Sequence, residues 1–324
     1  AGGFAAAASR CCATTRGGRA GRAMELISDS SNLDDFVIAA GGPGVFYRVG
    51  PFQIHLTTPI HDVASLVYRL YGSYELGDPG SVSDFHVSIL PARGIRRYVR
   101  PQAQFFIDGT CPFDPFPLDT AFPLLEWGIN WCIGSRAQQY LVLHSAVIEQ
   151  NGKAVVLAAE PGSGKSTLAA ALMLSGWRLF SDEFGLMRPG TCEFVPVPRT
   201  IALKNESIEV IRRFSDHAEL GPKFPKTRKG TVAHLPASAA SAVDQAPARP
   251  TLLVFPKFEA GAQLRAKPLA KAPAFMKLAN NAFNYAAQGE AGFTAVRDIV
   301  DASEVLLLRF SGLEDAIGAI SYYV

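Results

Sequence analysis

A glycine-rich segment near the middle of the chain, AEPGSGKST at residues 159–167, constrains the fold more than any other feature. It follows AVVLA, an apolar run typical of a buried strand, and it opens TLAAALML, which has the composition of a helix. A strand, a glycine loop and a helix in this order are the context of a phosphate-binding P-loop. The first position of the usual pattern holds Ala159 instead of glycine. We expect this change to be mild, because the position ends the strand.

The side chains of this segment have the chemistry of a triphosphate site. Its glycines let successive backbone N–H groups turn towards phosphate oxygens, and the N-terminus of the following helix adds partial positive charge. The Lys165 ammonium is placed to reach the β- and γ-phosphates of ATP, and the Ser166 hydroxyl can coordinate Mg²⁺. We therefore expect ATP and Mg²⁺ as cofactors. The predicted nucleotide-binding residues are Glu160, Pro161, Gly162, Ser163, Gly164, Lys165, Ser166 and Thr167.

Two acidic residues lie in the next predicted strand, WRLFSDEFGLM at 177–187. In P-loop proteins a carboxylate at such a strand end holds Mg²⁺, or takes the proton from an attacking hydroxyl. Asp182 is the predicted general base, and Ser166, Asp182 and Glu183 are the predicted metal ligands. Adjacent side chains on a strand point to opposite faces, so both acids can serve only if the strand ends or bends there. The alternative is a helix cap or a surface acid pair.

Patterns along the chain predict an α/β protein in three parts. Residues 1–23 are rich in Ala, Gly and Arg and contain no acid, which favours a disordered leader over a transit peptide. Residues 24–137 alternate short strands with helices and predict a small α+β module. Residues 138–324 contain the strand–loop–helix–strand run of an α/β nucleotide-binding core. Within them we expect an exposed loop at 237–250 and a helix over 274–288.

Composition narrows the functional classes. The net charge of +2 is too small an excess of basic residues to indicate a nucleic-acid partner. No run of about 18 apolar residues occurs, so no membrane-spanning helix is predicted. The five cysteines are odd in number and form no CxxC pair, which argues against a disulfide framework or a zinc site and favours the cytoplasm.

His144 lies on the strand before the P-loop strand, and a lone histidine is more often a core residue than a catalyst. However, His144, GKAVVLAAEPGSGKST and WRLFSDE together resemble the HPr kinase/phosphorylase family, whose members have a histidine, a P-loop and an acid pair in these places. Other segments are similar to its subgroup HprK-related kinase A, so that the similarity covers nearly everything after Met24. These segments are PFQIHL, FPLLEWGINW, VPRTIALKNESIEVI, KTRKGTVAHLP, FPKF and LANNAFNYAAQGEAGF.

The resemblance implies a protein serine kinase that uses ATP and Mg²⁺, with a nucleotide-binding core of the HPr kinase and phosphoenolpyruvate carboxykinase type. By this resemblance, the catalytic residues of the chain would be Asp182 as the general base, His144 close to it, and Lys165 in contact with the phosphates. Glu183 takes the place of the family's second aspartate. Family members are often oligomers, so we expect a homo-oligomer.

Two departures from the family concern its substrate and control. The first module does not resemble the regulatory domain of the sugar-control kinases. The family's Glu-x-Arg-Gly segment is absent from residues 190–210, where ALKNES stands instead. We therefore expect a protein or peptide acceptor other than that of the sugar-control kinases. A small-molecule kinase and a nucleotide-driven switch or scaffold remain the alternatives.

Some residues are weaker candidates. Lys204 and Asn205 could contact substrate or γ-phosphate, or form a solvated turn. The segment KFPKTRKGTVAH at 223–234 could be a mobile basic loop that closes over triphosphate, or a solvated face. Asn281 and Asn284 are predicted to share one helix face and could reach a nucleotide or a helix cap. Trp127 and Trp131, four residues apart in one predicted helix, are expected to pack in the core.

Overall fold

The computed structural model describes residues 25–30 and 32–324, so the predicted leader at 1–23 lies outside the described residues. The helices are α1 Ile27–Ser30, α2 Leu33–Gly41, α3 His61–Leu70, α4 Ala121–Arg136, α5 Lys165–Leu174, α6 Glu206–Phe214, α7 Ala239–Val243, α8 Lys271–Asn280, α9 Tyr285–Ala302 and α10 Leu313–Tyr322. The strands are β1 Val45–Val49, β2 Phe52–Thr57, β3 Phe85–Pro91, β4 Gln102–Ile107, β5 Phe116–Pro117, β6 Leu141–Gln150, β7 Lys153–Ala158, β8 Arg178–Ser181, β9 Phe184–Arg188, β10 Glu193–Val195, β11 Ile201–Lys204, β12 Phe224–Thr227, β13 Gly230–Leu235, β14 Arg249–Phe258, β15 Arg265–Pro268 and β16 Glu304–Phe310. None of the described helices is long and apolar enough to cross a membrane.

The first sheet has five strands in the order β1-β2-β3-β4-β5. β2 and β3 are parallel, with α3 in the connection between them, and the other neighbours are antiparallel. The strands alternate buried and more exposed residues, as expected for a sheet with one covered face. α4 packs on this face so closely that a Cβ on Gly128 would overlap the ring of Phe105. α4 is therefore held tightly against the first sheet.

The second sheet is mixed and forms the centre of an α/β arrangement. Its order is β10-β9-β6-β7-β14-β16-β15, and β8 also pairs with β6. β7, β14 and β16 are parallel, and β6 is antiparallel to its neighbours. Val155 and Leu157 of β7 belong to the core that contains the apolar side chains of α5, whereas Val156 and Ala158 belong to the core that contains those of α8 and α9. The sheet is therefore buried on both faces, which explains its continuous apolar runs.

Several sequence predictions were wrong in detail. The basic segment at 223–234, for which a mobile loop and a solvated face were the alternatives, is a hairpin of β12 and β13 in a third sheet, β11-β13-β12. The predicted loop at 237–250 contains α7, whose buried Ser241 hydroxyl accepts a hydrogen bond from the amide of Leu179 at 2.8 Å. The predicted helix over 274–288 is divided, because α8 ends at Asn280 and α9 begins at Tyr285.

A buried polar cluster joins α4 to the segment before β11. The carboxylate of Glu126 accepts hydrogen bonds from the Arg199 guanidinium at 2.6 Å and from the hydroxyls of Tyr71 and Thr200 at 2.8 Å. Glu126 and Arg199 are 5% and 7% exposed. Apolar core side chains are also continuous across this junction. The predicted division between residues 137 and 138 stays a prediction.

Candidate functional site

The glycine loop, residues 159–164, connects β7 to α5. Gly162 and Gly164 both have φ of +86°, a conformation that residues with a Cβ rarely adopt. A Cβ on Gly164 would also lie 2.9 Å from the Cβ of Phe258, whereas one on Gly162 would meet nothing within 4 Å. Both backbone strain and packing thus require glycine at 164, while the loop is open at 162.

Backbone hydrogen bonds fix the shape of the glycine loop. The amide of Ser163 donates to the carbonyl of Glu160 at 3.3 Å, and the amide of Phe258 at the end of β14 donates to the carbonyl of Ser163 at 2.9 Å. The first N–H groups of α5 have no carbonyl partner within the helix. A loop of this shape before a ten-residue helix can bind an anion through those groups and the helix dipole.

Lys165 is the first residue of α5 and its side chain is buried. Its ammonium donates a long hydrogen bond of 3.5 Å to the backbone carbonyl of His144. Burial lowers the pKa of this lysine, while Asp182 and Glu183 oppose that change. No carboxylate of the described residues lies within 4.0 Å of the ammonium. The site therefore contains a buried cation near two acids but not in direct contact with either.

A two-residue break separates β8 from β9 and contains the acid pair. Both strands pair with β6, with Ser181 opposite Val147 and Phe184 opposite His144. The Ser181 hydroxyl accepts hydrogen bonds from the amides of Glu183 at 3.2 Å and Phe184 at 2.8 Å. Such local side-chain bonds compete with ladder pairing. The segment 177–187 is therefore two strands and not one, and β8 ends directly before the acid pair, as both acids require if they are to serve one site.

Asp182 is a buried carboxyl group whose ionisation is shifted towards neutral pH. Its side chain is buried, and its Oδ1 has no hydrogen-bond partner among the described residues. Burial raises the pKa of this carboxyl to about 6; Lys165 lowers it, the neighbouring Glu183 raises it, and the nearby Ser166 hydroxyl lowers it. Glu183 is half-buried. A carboxylate with a pKa close to the working pH can accept a proton efficiently.

His144 lies in the same region but does not contact Asp182 directly. Burial lowers its pKa to about 4, and Lys165 adds to this effect, so that the imidazole is neutral at physiological pH. Its ring lies 5.6 Å from the ring of Phe283, and among the described residues its side chain makes no hydrogen bond. The closeness of His144 to Asp182 that the family resemblance implies stays a prediction, while the backbone carbonyl of His144 accepts the hydrogen bond from Lys165.

The remaining predicted nucleotide-binding residues surround these groups. Glu160 and Pro161 are exposed on the glycine loop, and Thr167 is half-buried in the first turn of α5. Ser163 is half-buried, and its hydroxyl has no hydrogen-bond partner among the described residues. An unpartnered buried hydroxyl next to a helix N-terminus is available to a bound anion.

A cleft of about 590 Å³ opens beside the acid pair. Glu183 and Lys204 line it, as do Trp127 and Trp131 of α4. Both tryptophans were expected in the core, but they are 38% and 39% exposed. Their four-residue spacing showed that they share a helix face, but it could not show that this face borders a cleft.

The other weak candidates from the sequence lie in different places and make different contacts. Lys204 lines the cleft, while the side chain of Asn205 accepts a hydrogen bond from the amide of Thr231 at 3.1 Å and so fixes the pairing of β11 with β13.

Asn281 lies between α8 and α9, not on a helix face. Asn284 is buried; its side-chain oxygen accepts a hydrogen bond from the amide of Val142 at 2.9 Å, and its side-chain nitrogen donates one to the carbonyl of Tyr140 at 2.8 Å. Its role is to connect α9 to β6.

The donor atoms fit a magnesium ion that is shared with phosphates. Among the described residues, no group of three or more His, Cys, Asp and Glu side chains could hold a metal alone. Mg²⁺ is usually bound by one or two carboxylates, substrate phosphates and waters. The unpartnered oxygen of Asp182, the adjacent Glu183 and the hydroxyl of Ser166 match such a partial donor set.

The glycine loop, a buried lysine and a buried aspartate thus meet at one region of a mixed α/β protein. No protein-family model matches the chain, and no curated protein matches it either. The resemblance to HPr kinases therefore stays a prediction.

Replacing Asp182 with asparagine is expected to stabilise the protein in the absence of nucleotide. The pKa of Asp182 is raised from 3.8 to about 6, so the unfolded chain ionises at lower pH than the folded one. The wild type therefore loses stability as the pH rises through this range, by on the order of 3 kcal/mol at most. Asparagine has a similar size and does not ionise.

Urea unfolding at about pH 4 and pH 7.5 measures this effect. The free energy of unfolding of Asp182→Asn should exceed that of the wild type by nearly nothing at the lower pH, and by the whole expected amount at the higher pH. Asp216→Asn, at an exposed acid, is the control. An equal gain at both values of pH would show that ionisation of Asp182 is not its source.

Proposed function

We propose that the chain is an ATP- and Mg²⁺-dependent kinase of the HPr kinase type, which transfers the γ-phosphoryl group to a serine hydroxyl of a partner protein or peptide. The observation that carries this proposal is the buried Asp182, with a pKa of about 6, near a buried Lys165 that it does not directly contact. In this proposal the glycine loop is the P-loop of a nucleotide-binding core.

The positive and negative groups of the site have complementary roles towards a triphosphate. Lys165 and the free amides of the glycine loop and α5 bind the phosphate oxygens. Ser166, Asp182 and Glu183 would hold Mg²⁺, which when bound neutralises charge on the phosphates. A buried ammonium and a buried carboxylate that stand apart need a ligand of mixed charge between them, because an unpaired buried charge is costly.

Asp182 supplies the base for the transfer. As the serine oxygen forms its bond to the γ-phosphorus, the bond from that phosphorus to the β–γ bridging oxygen breaks and ADP leaves. Asp182 takes the hydroxyl proton and later releases it to solvent. Its carboxylate has two oxygens, so that one can face the metal while the other accepts the proton.

Positive charge around His144 supports the same reaction. Lys165, Lys229 and Lys204 each lower the pKa of this histidine, which places all three ammonium groups within electrostatic reach of it. Cations gathered where negative charge develops stabilise a phosphoryl-transfer transition state. Lys229 lies at the tip of the β12–β13 hairpin, so this hairpin takes the role proposed for a basic loop.

A small-molecule acceptor is the second candidate, and one observation favours it. The volume of the cleft, about 590 Å³, lies within the range of small-ligand pockets. We favour a peptide because the cleft is bordered by the partly exposed Trp127 and by the exposed Arg228, which a segment running over the surface can reach.

A labelling experiment tests the proposal. The protein is mixed with Mg²⁺, γ-labelled ATP and a host extract separated into protein and small-molecule fractions. Lys165→Ala should lose ATP affinity and labelling by about a hundredfold or more, because the phosphates lose their buried cation. Lys271→Ala, at an exposed lysine paired with Asp301, is the matched control and should label normally.

Each outcome has one meaning. A labelled polypeptide that depends on Lys165 supports the protein kinase and identifies the acceptor. Label in the small-molecule fraction alone supports the second candidate. Free phosphate as the sole product, at a rate unchanged by Lys165→Ala, contradicts both kinase proposals.

A further inference from the structure

One face of α4 forms a rigid aromatic wall of the cleft. Trp127, Trp131 and Gly134 are spaced by four and three residues and therefore lie along one face of the helix. The ring of Phe113 supports both tryptophans, at 4.2 Å from the ring of Trp127 and 5.5 Å from that of Trp131. The indoles are thus partly exposed but held in place, which suits an aromatic contact surface.

This wall continues to the acid pair. A Cβ on Gly134 would lie 3.4 Å from the ring of Phe184, which directly follows Glu183 in the chain. The rings of Phe184 and Phe283 are 5.3 Å apart, and the ring of Phe283 is 5.6 Å from that of His144. An apolar surface therefore runs from Trp127 along α4 to the residues that face the phosphate site.

Basic side chains also line the cleft. The guanidinium of Arg228 lies over the ring of Phe116 at 4.8 Å from its centre, and Lys229 and Lys204 also line the cleft. The acidic side chains that line the cleft are Glu126, which forms an ion pair with Arg199, and Glu183, which lies at the proposed phosphate site. Because the ring of Phe116 is 5.7 Å from that of Trp127, the end of the cleft that is farther from the acid pair offers an aromatic surface with the Arg228 guanidinium beside it.

The length of the aromatic wall predicts how many peptide residues separate the side chain on Trp127 from the acceptor hydroxyl. The seven residues from Trp127 to Gly134 rise about 10 Å along the helix. An extended peptide covers this distance in about three residues. A side chain that contacts Trp127 thus belongs to a residue about three positions from the one whose hydroxyl lies at Glu183 and Asp182.

We propose that the cleft binds the acceptor as an extended peptide segment with a large apolar side chain, preferably aromatic, about three residues from the phosphorylated serine. That side chain packs on Trp127 and Trp131, and an adjacent acidic side chain pairs with Arg228. The inference rests on the proposed function, whose acceptor class it specifies. Burial of aromatic side chains supplies most of the affinity of such segments, and exposed charges add selectivity.

Binding of synthetic peptides tests this inference. The probes are fluorescein-labelled decapeptides that contain a single serine. One pair of peptides has Phe three residues and Glu four residues from the serine, on its N-terminal side in one peptide and on its C-terminal side in the other. In the matched pair, Ala replaces Phe and Lys replaces Glu. Fluorescence anisotropy is measured with Mg²⁺ and a non-hydrolysable ATP analogue. We expect the Phe–Glu peptides to bind at least about tenfold more tightly.

Two variants locate the preference. Trp127→Ala should lose the contribution of Phe, and Arg228→Glu, at an exposed position, should lose that of Glu without affecting the fold. Tyr322→Ala, which removes an aromatic ring that is 83% exposed on α10, is the matched control and should keep both. Thermal unfolding and ATP affinity are measured for each protein.

The outcomes separate the inference from the proposed function. Equal binding of all peptides, or a preference that persists in both variants, overturns the inference. Peptides that bind with the expected preference but are never phosphorylated by ATP support the cleft and contradict the kinase. Peptides phosphorylated equally well with Phe–Glu and Ala–Lys support the kinase and contradict the cleft.

Discussion

The Asp182→Asn variant is expected to transfer phosphate to its acceptor about 10²- to 10⁴-fold more slowly than the wild type, which is the usual contribution of a general base. ATP binding should be retained, because Lys165 and the glycine loop remain. The wild-type kcat/KM should fall as the pH drops below about 6, where Asp182 becomes protonated. The residual rate of the variant should lack this dependence. Steady-state kinetics between about pH 5 and 8 measure both effects.

Glu183→Gln is the informative comparison for this prediction. It removes the neighbouring charge but leaves the proposed base, so transfer should fall less than in Asp182→Asn. The exposed Asp216→Asn should change nothing. Transfer by Asp182→Asn at the wild-type rate would show that another group takes the proton.

The Glu126→Ala variant is expected to lose about 3–5 kcal/mol of the free energy of unfolding. The reason is that Arg199 stays buried without its carboxylate partner, and the hydroxyls of Tyr71 and Thr200 lose their acceptor. Chemical denaturation measures the loss. Removing both charges, in Glu126→Leu with Arg199→Met, should recover most of it, because apolar pairs often replace buried ion pairs without cost.

A small effect of Glu126→Ala would contradict the burial of this pair. A double variant as unstable as the single one would instead show that the remaining hydrogen bonds of the cluster, and not the unpaired charge, carry the loss. The exposed ion pair of Lys271 and Asp301 offers a control, since exposed pairs contribute about 1 kcal/mol or less.

Local signals predicted much of the fold. The turn at Gly50 divides two short apolar segments that are typical of strands, and β1 and β2 pair there; Asn151–Gly152 is typical of a hairpin turn, and it joins β6 to β7. The glycine loop, α5 and the placement of Lys165 follow from the same kind of pattern. In each case neighbouring residues in the chain determine the structure.

Features that the apolar pattern does not show were missed. Asn284 is fixed by the amide of Val142, which lies 142 positions earlier, and no local pattern contains this pairing. The break after Ser181 depends on one hydroxyl turning back to the chain, which a strongly apolar strand pattern conceals. Trp127 and Trp131 look like core residues because the sequence does not show which helix faces are covered.

The break between β8 and β9 also limits how the protein can change over evolution. Ser181 lies opposite Val147 and Phe184 opposite His144. Two residues thus lie between Ser181 and Phe184, and two also lie between His144 and Val147 on β6. An insertion or deletion of one residue here would shift β9 on β6 and turn its buried side chains to the other face. The number of residues between Ser181 and Phe184 is therefore constrained by strand pairing, in addition to any constraint on the identity of the two acids. Length polymorphism should instead collect in surface connections such as 259–264.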